Sequence, residues 1–179
     1  MVYMILGDGF EETEAIIPCD LLRRADIPVL LAGIGGMEIT GGHGITVKAD
    51  CRAEEIAPEN AELLILPGGL RGVASINACP AVLDILQKAY ARGSYLAAIC
   101  AAPTVLAALG ITDGKRAVCY PGMEAQMGAA ICCDVPAVTD GRVITAKAAG
   151  ASYVFALELI TALRDARTAQ RVAAGIVLQ

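Results

Sequence analysis

The strongest constraint on this chain is a set of short segments with almost no polarity, each followed by a stretch of helical character. "VYMIL", "PVLLAGI", "ELLILPGG" and "YLAAI" carry apolar residues on both faces of any strand they form. A strand with one wet face alternates apolar and polar residues. A strand apolar on both faces has to be covered on both. Strands of this kind alternating with helices imply a mostly parallel sheet between two helical layers.

The helices have their own signals. "EETEAIIPCDLLRRAD" places acids in the first turn and arginines in the last, matching the helix dipole, and Pro18 predicts a kink or local adjustment. "PAVLDILQKAYARG" is amphipathic and closed by Gly93, and "APTVLAALG" is closed by Gly110. "GASYVFALELITALRDA" reads as a long helix followed by a last helical segment. "MEITGGHGITVKAD" reads as a hairpin turning at Gly41 and Gly42. "KRAVCY", "AAICCD" and "RVITA" read as further short strands. The chain has no Pro/Ser-rich linker, low-complexity tract or repeat, so residues 1–179 are expected to form a single α/β domain.

Several function classes are disfavoured. With 14 basic against 19 acidic residues and no Lys/Arg cluster, nucleic acid is not expected as the main partner. The most apolar window, Tyr95 to Ile111, is interrupted by Pro103 and falls short of the ~20 residues a membrane span needs, so no membrane partner is expected. "MVYMILGDGFEE" has no basic leader region, which predicts a cytoplasmic protein. Seven cysteines in an odd count, with no CxxC pair and a single histidine, His43, predict neither a disulfide framework nor a zinc site. Most of the thiols are expected to be packing residues. "GDGFEE" opens like a dinucleotide loop but has Glu12 where the third glycine belongs, and carboxylates there would repel a pyrophosphate. No metal and no cofactor are expected.

In a parallel sheet, ligands bind beyond the carboxyl ends of the strands. Three features fall there. Cys100 stands between "YLAAI" and the following helix, a sharp turn of the kind that holds a nucleophile clear of a sheet. The helix start offers free N–H groups and a positive dipole end, which favour a thiolate and lower its pKa. The competing reading is a buried cysteine lining the core, since free cysteine is among the most buried residue types. "PGG" at Pro67 to Gly69 can leave backbone amides uncovered for an oxyanion, or be an ordinary turn. Glu14 is followed by "AII" and so lies beside the apolar face of its helix, unlike a solvated first-turn acid. Turned inward, such a carboxyl stays protonated and can shuttle a proton. His43 is expected at the surface or an interface, remote in sequence from any nucleophile.

Taken together, "MILGDGFEETEAIIPCDLLRRADIPVLLAGI", "LLILPGGLRG", "LAAICAAPTVLAALGI" and "DGRVITAKAAGASYVFALELITAL" resemble the ThiJ/PfpI superfamily. The nearest resemblance is to its Parkinson-disease protein-deglycase-like subfamily. The likeness spans nearly the whole chain in order. It implies a flavodoxin-like three-layer α/β sandwich and a homodimer. By matching positions, Cys100 corresponds to the reactive cysteine and Glu14 to the glutamate that hydrogen-bonds its sulfur. Gly68, Gly69 and the amide of Ala101 correspond to the oxyanion-binding region. Arg24 corresponds to an arginine near the dimer interface and pocket.

The chain departs from the family pattern at three places. Tyr120 occupies the position where relatives often carry a histidine. Ala101 stands where the peptidase-type members have a histidine directly after the cysteine. The loop before the last long helix reads "AAGA", Ala148 to Ala151, instead of "GPGT". These departures weigh against peptidase and amidotransferase chemistry. The expected function is therefore a cofactor-independent, cysteine-dependent glyoxalase or deglycase acting on small α-oxoaldehydes such as methylglyoxal. Cys100 would be the nucleophile, Glu14 the proton carrier, and Tyr120 a hydrogen-bond donor. The alternative is a redox-sensing stress chaperone using the same cysteine. A hydrolase with His43 as base is the third reading.

Overall fold

The apolar runs form the strands of one sheet. The computed structural model describes residues 1–178. In chain order, β1 (Val2–Leu6) leads into α1 (Glu12–Arg24) and β2 (Val29–Gly33). A hairpin of β3 (Glu38–Thr40) and β4 (Thr46–Lys48) follows, then β5 (Cys51–Arg52) and β6 (Leu63–Leu66). After these come α2 (Leu70–Asn77), α3 (Pro80–Arg92), β7 (Tyr95–Ile99) and α4 (Pro103–Ala108). The chain continues through β8 (Arg116–Ala117), β9 (Ile131–Cys132), β10 (Ala137–Asp140), β11 (Val143–Ala146), α5 (Ser152–Leu163) and α6 (Ala166–Gly175).

The main sheet has seven strands in the order β10-β11-β7-β6-β1-β2-β5. All its neighbours run parallel except β10, which returns antiparallel on β11. The alternation within each strand splits its side chains between two cores. Met4, Leu6, Leu63, Ile65, Ala97 and Ile99 face the layer of α1, α5 and α6. Ile5, Leu64, Leu66, Leu96 and Ala98 face the layer of α2, α3 and α4. This is the three-layer α/β sandwich with a mostly parallel sheet that the apolar strands required. Phe10 and Phe155 are fully buried in the first core, and burial of side chains of that size contributes ~1.5–3 kcal/mol each.

Local differences from the sequence reading have local causes. Pro18 is accommodated inside a continuous α1. The stretches "KRAVCY" and "AAICCD" yield strands of only two residues, paired with each other outside the main sheet. α2 follows Gly69 directly and was not anticipated, although Leu70, Val73 and Ile76 keep a helical spacing. β10 has no signal of its own in the sequence, because its four residues alternate too briefly to stand out. Cys19 and Cys119 are buried as packing residues, whereas Cys132 is exposed. Among the described residues no helix is long and apolar enough to cross a membrane.

Candidate active site

β6 lies between β1 and β7, so the carboxyl ends of three adjacent strands deliver the β1–α1 loop, the Pro67-Gly68-Gly69 turn and Cys100 to one place. Cys100 follows β7 with φ of 66°, a left-handed conformation that non-glycine residues seldom adopt. Such strain costs ~1–3 kcal/mol and persists only where surroundings fix it. Here the Cys100 N–H donates to Ala146 O at 3.0 Å, and the Cys100 carbonyl accepts from Tyr120 N–H at 2.7 Å. The side chain is thereby turned out of the sheet and left half-buried.

Glu14 meets it from α1. Glu11 caps that helix, its carboxylate accepting the Glu14 N–H at 2.7 Å, which fixes Glu14 in the first turn. Glu14 is 1% exposed, and its Oε2 accepts Gly68 N–H at 2.8 Å. Burial pushes its carboxyl up to about 7, against the lowering effect of Cys100 and the Gly68 amide. Its contact with the thiol couples the two titrations, yet leaves Oε1 without a partner at full hydrogen-bond geometry.

Gly68 explains how the two groups come together. A Cβ there would lie 2.5 Å from Glu14 Oε2, 2.7 Å from Cys100 Cβ and 3.1 Å from Cys100 Sγ. Gly69 has φ of 85°, and a side chain on it would strike Gly9 O. The backbone amides of Gly69 and Ala101 lie near enough to the Cys100 sulfur to favour its ionised form. The Gly68 amide is committed to Glu14, so of the three expected oxyanion donors only Gly69 and Ala101 are free for that role.

The electrostatics reverse one expectation. The Cys100 thiol is pushed up to about 12, first by burial and then by the charge and hydrogen bonding of Glu14; the Ala101 and Gly69 amides only partly offset this. The following helix spans just six residues, so its dipole is a small lever against a carboxylate. Two anions do not coexist in this space. The pair takes on at most one negative charge near neutrality; as pH rises through about 7 it settles on Glu14, while the sulfur keeps its proton.

The pair opens into a cleft of about 780 Å³ lined by Glu11, His43, Gly69, Cys100, Tyr120 and Met123, among others. Tyr120 is 48% exposed on its wall, where the sequence placed it. Arg24 does not reach this cleft within one chain. It pairs with Asp20 at 2.7 Å and lines a separate groove with Ile16 and Tyr153. α1 points its first turn at Cys100 and its last turn away, which separates the two residues.

The residues that the sequence undervalued are Glu12 and His43. Glu12 is 5% exposed although it opens a helix. Its Oε1 accepts the N–H of His43 at 2.7 Å and its Oε2 meets His43 Nδ1 at 2.8 Å. Glu11, Glu12 and His43 are, among the described residues, the one cluster with metal-ligand donors within 4.8 Å of one another. Their oxygens are already engaged, by Glu14 N–H in one case and by the hairpin in the other. The run "EETE" could have pointed to a second inward acid, but its pairing with residue 43 depends on how the hairpin docks.

Comparison with known proteins finds relatives over nearly the whole chain. The chain is 36% identical over 178 residues to protein dj-1beta of Drosophila melanogaster, covering 98% of this chain and 95% of that one. It is 31% identical over 165 residues to a deglycase of Pyrococcus abyssi, covering 91% and 99%. The crystal structure of the Drosophila protein superposes with a TM-score of 0.93 over 99% of this chain and 97% of its own, at 35% identity. Toxoplasma gondii DJ-1, solved in an oxidised state, gives 0.94 at 29% identity, over 98% and 97%. Residues 1–162 match the DJ-1/PfpI family, and on that match and the relatives' identity over nearly its whole length, the chain belongs to that family.

Proposed function

We propose that the protein is a cofactor-independent, cysteine-dependent enzyme that converts small α-oxoaldehydes, methylglyoxal being the simplest, into 2-hydroxy acids. The observation that carries this reading is the Cys100–Glu14 pair, with the Gly69 and Ala101 amides on the sulfur and an open cleft above it. A thiol held up at about 12 is a poor resting thiolate but has a base beside it. Glu14 takes the thiol proton as sulfur attacks the aldehyde carbon, and the amides of Gly69 and Ala101 hold the alkoxide that forms. Glu14 returns that proton to the oxygen, giving a hemithioacetal. The same carboxylate then removes the proton from the former aldehyde carbon and returns it to the neighbouring carbonyl carbon, while the hydroxyl proton of the former passes to the oxygen of the latter, which leaves a thioester of a 2-hydroxy acid on Cys100. A carboxyl near 7 serves as acid and base in turn without large cost in either direction.

The name deglycase on the Pyrococcus relative is compatible with this chemistry, because adducts of oxoaldehydes release free aldehyde. A second reading is also favoured by a specific feature. Two amides and a protonatable carboxyl around one sulfur would hold a sulfinate well, and a relative is known in an oxidised state. In that reading Cys100 is a redox sensor in a stress-response protein. The peptidase reading is disfavoured because the polar partner of the sulfur is Glu14 and not an imidazole.

The test is incubation of purified protein with methylglyoxal and no glutathione, with lactate followed by NMR. We expect turnover by the wild type and none by Cys100→Ala. Absence of turnover by the wild type leaves the sensor reading in its place, and full turnover by Cys100→Ala removes the cysteine-dependent enzyme.

A further inference from the structure

Glu14 approaches the sulfur from the buried floor of the site. The reaction proposed above ends in a thioester, and the water that must cleave it enters from the open mouth of the cleft. A base is needed on that side. The β3–β4 hairpin supplies the only imidazole of the chain there.

The seating of this hairpin is specific. Gly9 N–H donates to Thr40 O at 2.7 Å and Gly42 N–H to Phe10 O at 2.8 Å, which fasten it to the β1–α1 loop. Asp8 Oδ1 accepts Thr40 N–H at 2.9 Å on the same side. Gly41 packs directly against the Glu12 carboxyl, with no room for a Cβ. Glu12 Oε1 also accepts Ile45 N–H at 3.4 Å, so one carboxylate organises the turn from both sides. Burial would raise the Glu12 pKa, but the His43 ring and the backbone amides outweigh it and keep the group ionised. An ionised carboxylate only accepts hydrogen bonds. It therefore fixes the proton of neutral His43 on Nδ1 and leaves Nε2 as the acceptor, the arrangement a carboxylate–imidazole base requires.

We propose that His43, oriented by Glu12, is the general base that activates water to release the 2-hydroxy acid from Cys100. Water adds through oxygen to the thioester carbon as one of its protons passes to Nε2. The tetrahedral intermediate collapses with cleavage of the carbon–sulfur bond. The sulfur leaves as thiolate and regains a proton, through Glu14, from the carboxyl group of the product. The imidazolium gives its proton to solvent. His43 is a catalytic residue in this scheme, and Glu12 is its positioning residue. The assignment rests on the oxoaldehyde reading. It is supported by the hydrogen bond and charge of Glu12 and the charge of Glu11, which hold the imidazole pKa up against the small opposing effect of burial. The ionisable groups around His43 are Glu11 and Glu12 at the start of α1, and Cys100 and Tyr120, which line the same cleft.

The experiment is a rapid acid quench of wild type, His43→Gln and Glu12→Gln during methylglyoxal turnover. The Cys100 adduct is then measured by mass spectrometry, with and without hydroxylamine. His43→Gln, at an exposed position, is expected to melt as the wild type does and to lose ~10²-fold in kcat, with KM falling in parallel because only the step after adduct formation is slowed. A hydroxylamine-labile adduct should accumulate on Cys100 and decay without pH dependence across neutrality. In Glu12→Gln the acidic limb of adduct decay should move to lower pH. Wild-type kcat and no adduct in His43→Gln overturn the assignment while leaving the oxoaldehyde reading intact. Loss of turnover on chelator treatment, restored by zinc, would assign the Glu11–Glu12–His43 cluster to a cation and also overturn it. An inactive wild type removes both.

Discussion

Two opposing influences meet at Cys100. Backbone amides of Gly69 and Ala101 favour a thiolate, while burial and the neighbouring carboxylate oppose it more strongly, so the thiol stands at about 12. The price appears on Glu14, whose carboxyl rises from 4.5 to about 7. A raised carboxyl pKa means that the folded state binds more protons than the unfolded chain between those two values. Stability from this group is therefore fully present below pH 4.5 and is lost as pH rises through about 7. The shift corresponds to a penalty on the order of 3 kcal/mol above that range, less what coupling to the thiol absorbs. Glu14→Gln keeps an acceptor for the Gly68 amide and removes the ionisation. We expect it to melt higher than the wild type at pH 8, with the gap closing by pH 5, and to lose ~10²-fold or more in turnover at both. Equal melting at pH 8 would show that ionising the buried Glu14 carries no penalty and that its carboxyl is not raised. Their positions at a strand end and beside an apolar helix face made Cys100 and Glu14 separate candidates in the sequence, and their pairing followed only from the family resemblance. The direction of the cysteine shift was not legible, because it is set by a contact between residues 86 positions apart.

Turns carry the site at the scale of elements. The β6–α2 turn works only because Gly68 has no side chain between the carboxyl and the sulfur. Its φ is not in the left-handed region, so Gly68→Ala tests that space without backbone strain. We expect a loss of ~1–3 kcal/mol from overpacking and at least a tenfold fall in turnover as Glu14 and Cys100 are pushed apart. Unchanged activity in a denaturant-stable Gly68→Ala would show that the two groups do not need this approach. Helix termini were readable from acids, arginines and closing glycines, as in α1 and α3. α2 escaped because it starts immediately after a turn that dominates the local signal, and β10 because it is four residues of edge strand. The hairpin was legible as a hairpin, but not as the arm that carries His43 to the cleft.

The homodimer implied by the sequence resemblance is a proposal about the whole molecule. We place its contact on the outer layer of α1, α5 and α6. There Ile16 is 42% exposed, Tyr153 40% and Val177 78%, and a groove that also contains Arg24 runs between them. Burial of such residues against a second copy would give Arg24 a role at the interface instead of in the cleft. Light scattering should give twice the chain mass for the wild type and the monomer mass for Ile16→Glu. A monomeric wild type ends the proposal, and a dimeric Ile16→Glu moves the contact to another face.

What the sequence determined by itself was set by local and periodic physics. Strands apolar on both faces have to be covered twice, so the layered α/β sandwich followed. A cysteine and a glycine turn at strand ends fall where such sheets bind ligands. The tertiary structure decided what depends on distance across the fold. It placed Glu14 against Cys100 and gave the Gly68 amide to the carboxylate and not to an oxyanion. It left Arg24 at the far end of its helix and brought Glu12 and His43 to the mouth of the same cleft. Electrostatic interactions fall off over a few ångströms and burial changes them severalfold. The charge that this site holds is therefore a property of the packed molecule, and no stretch of the chain contains it.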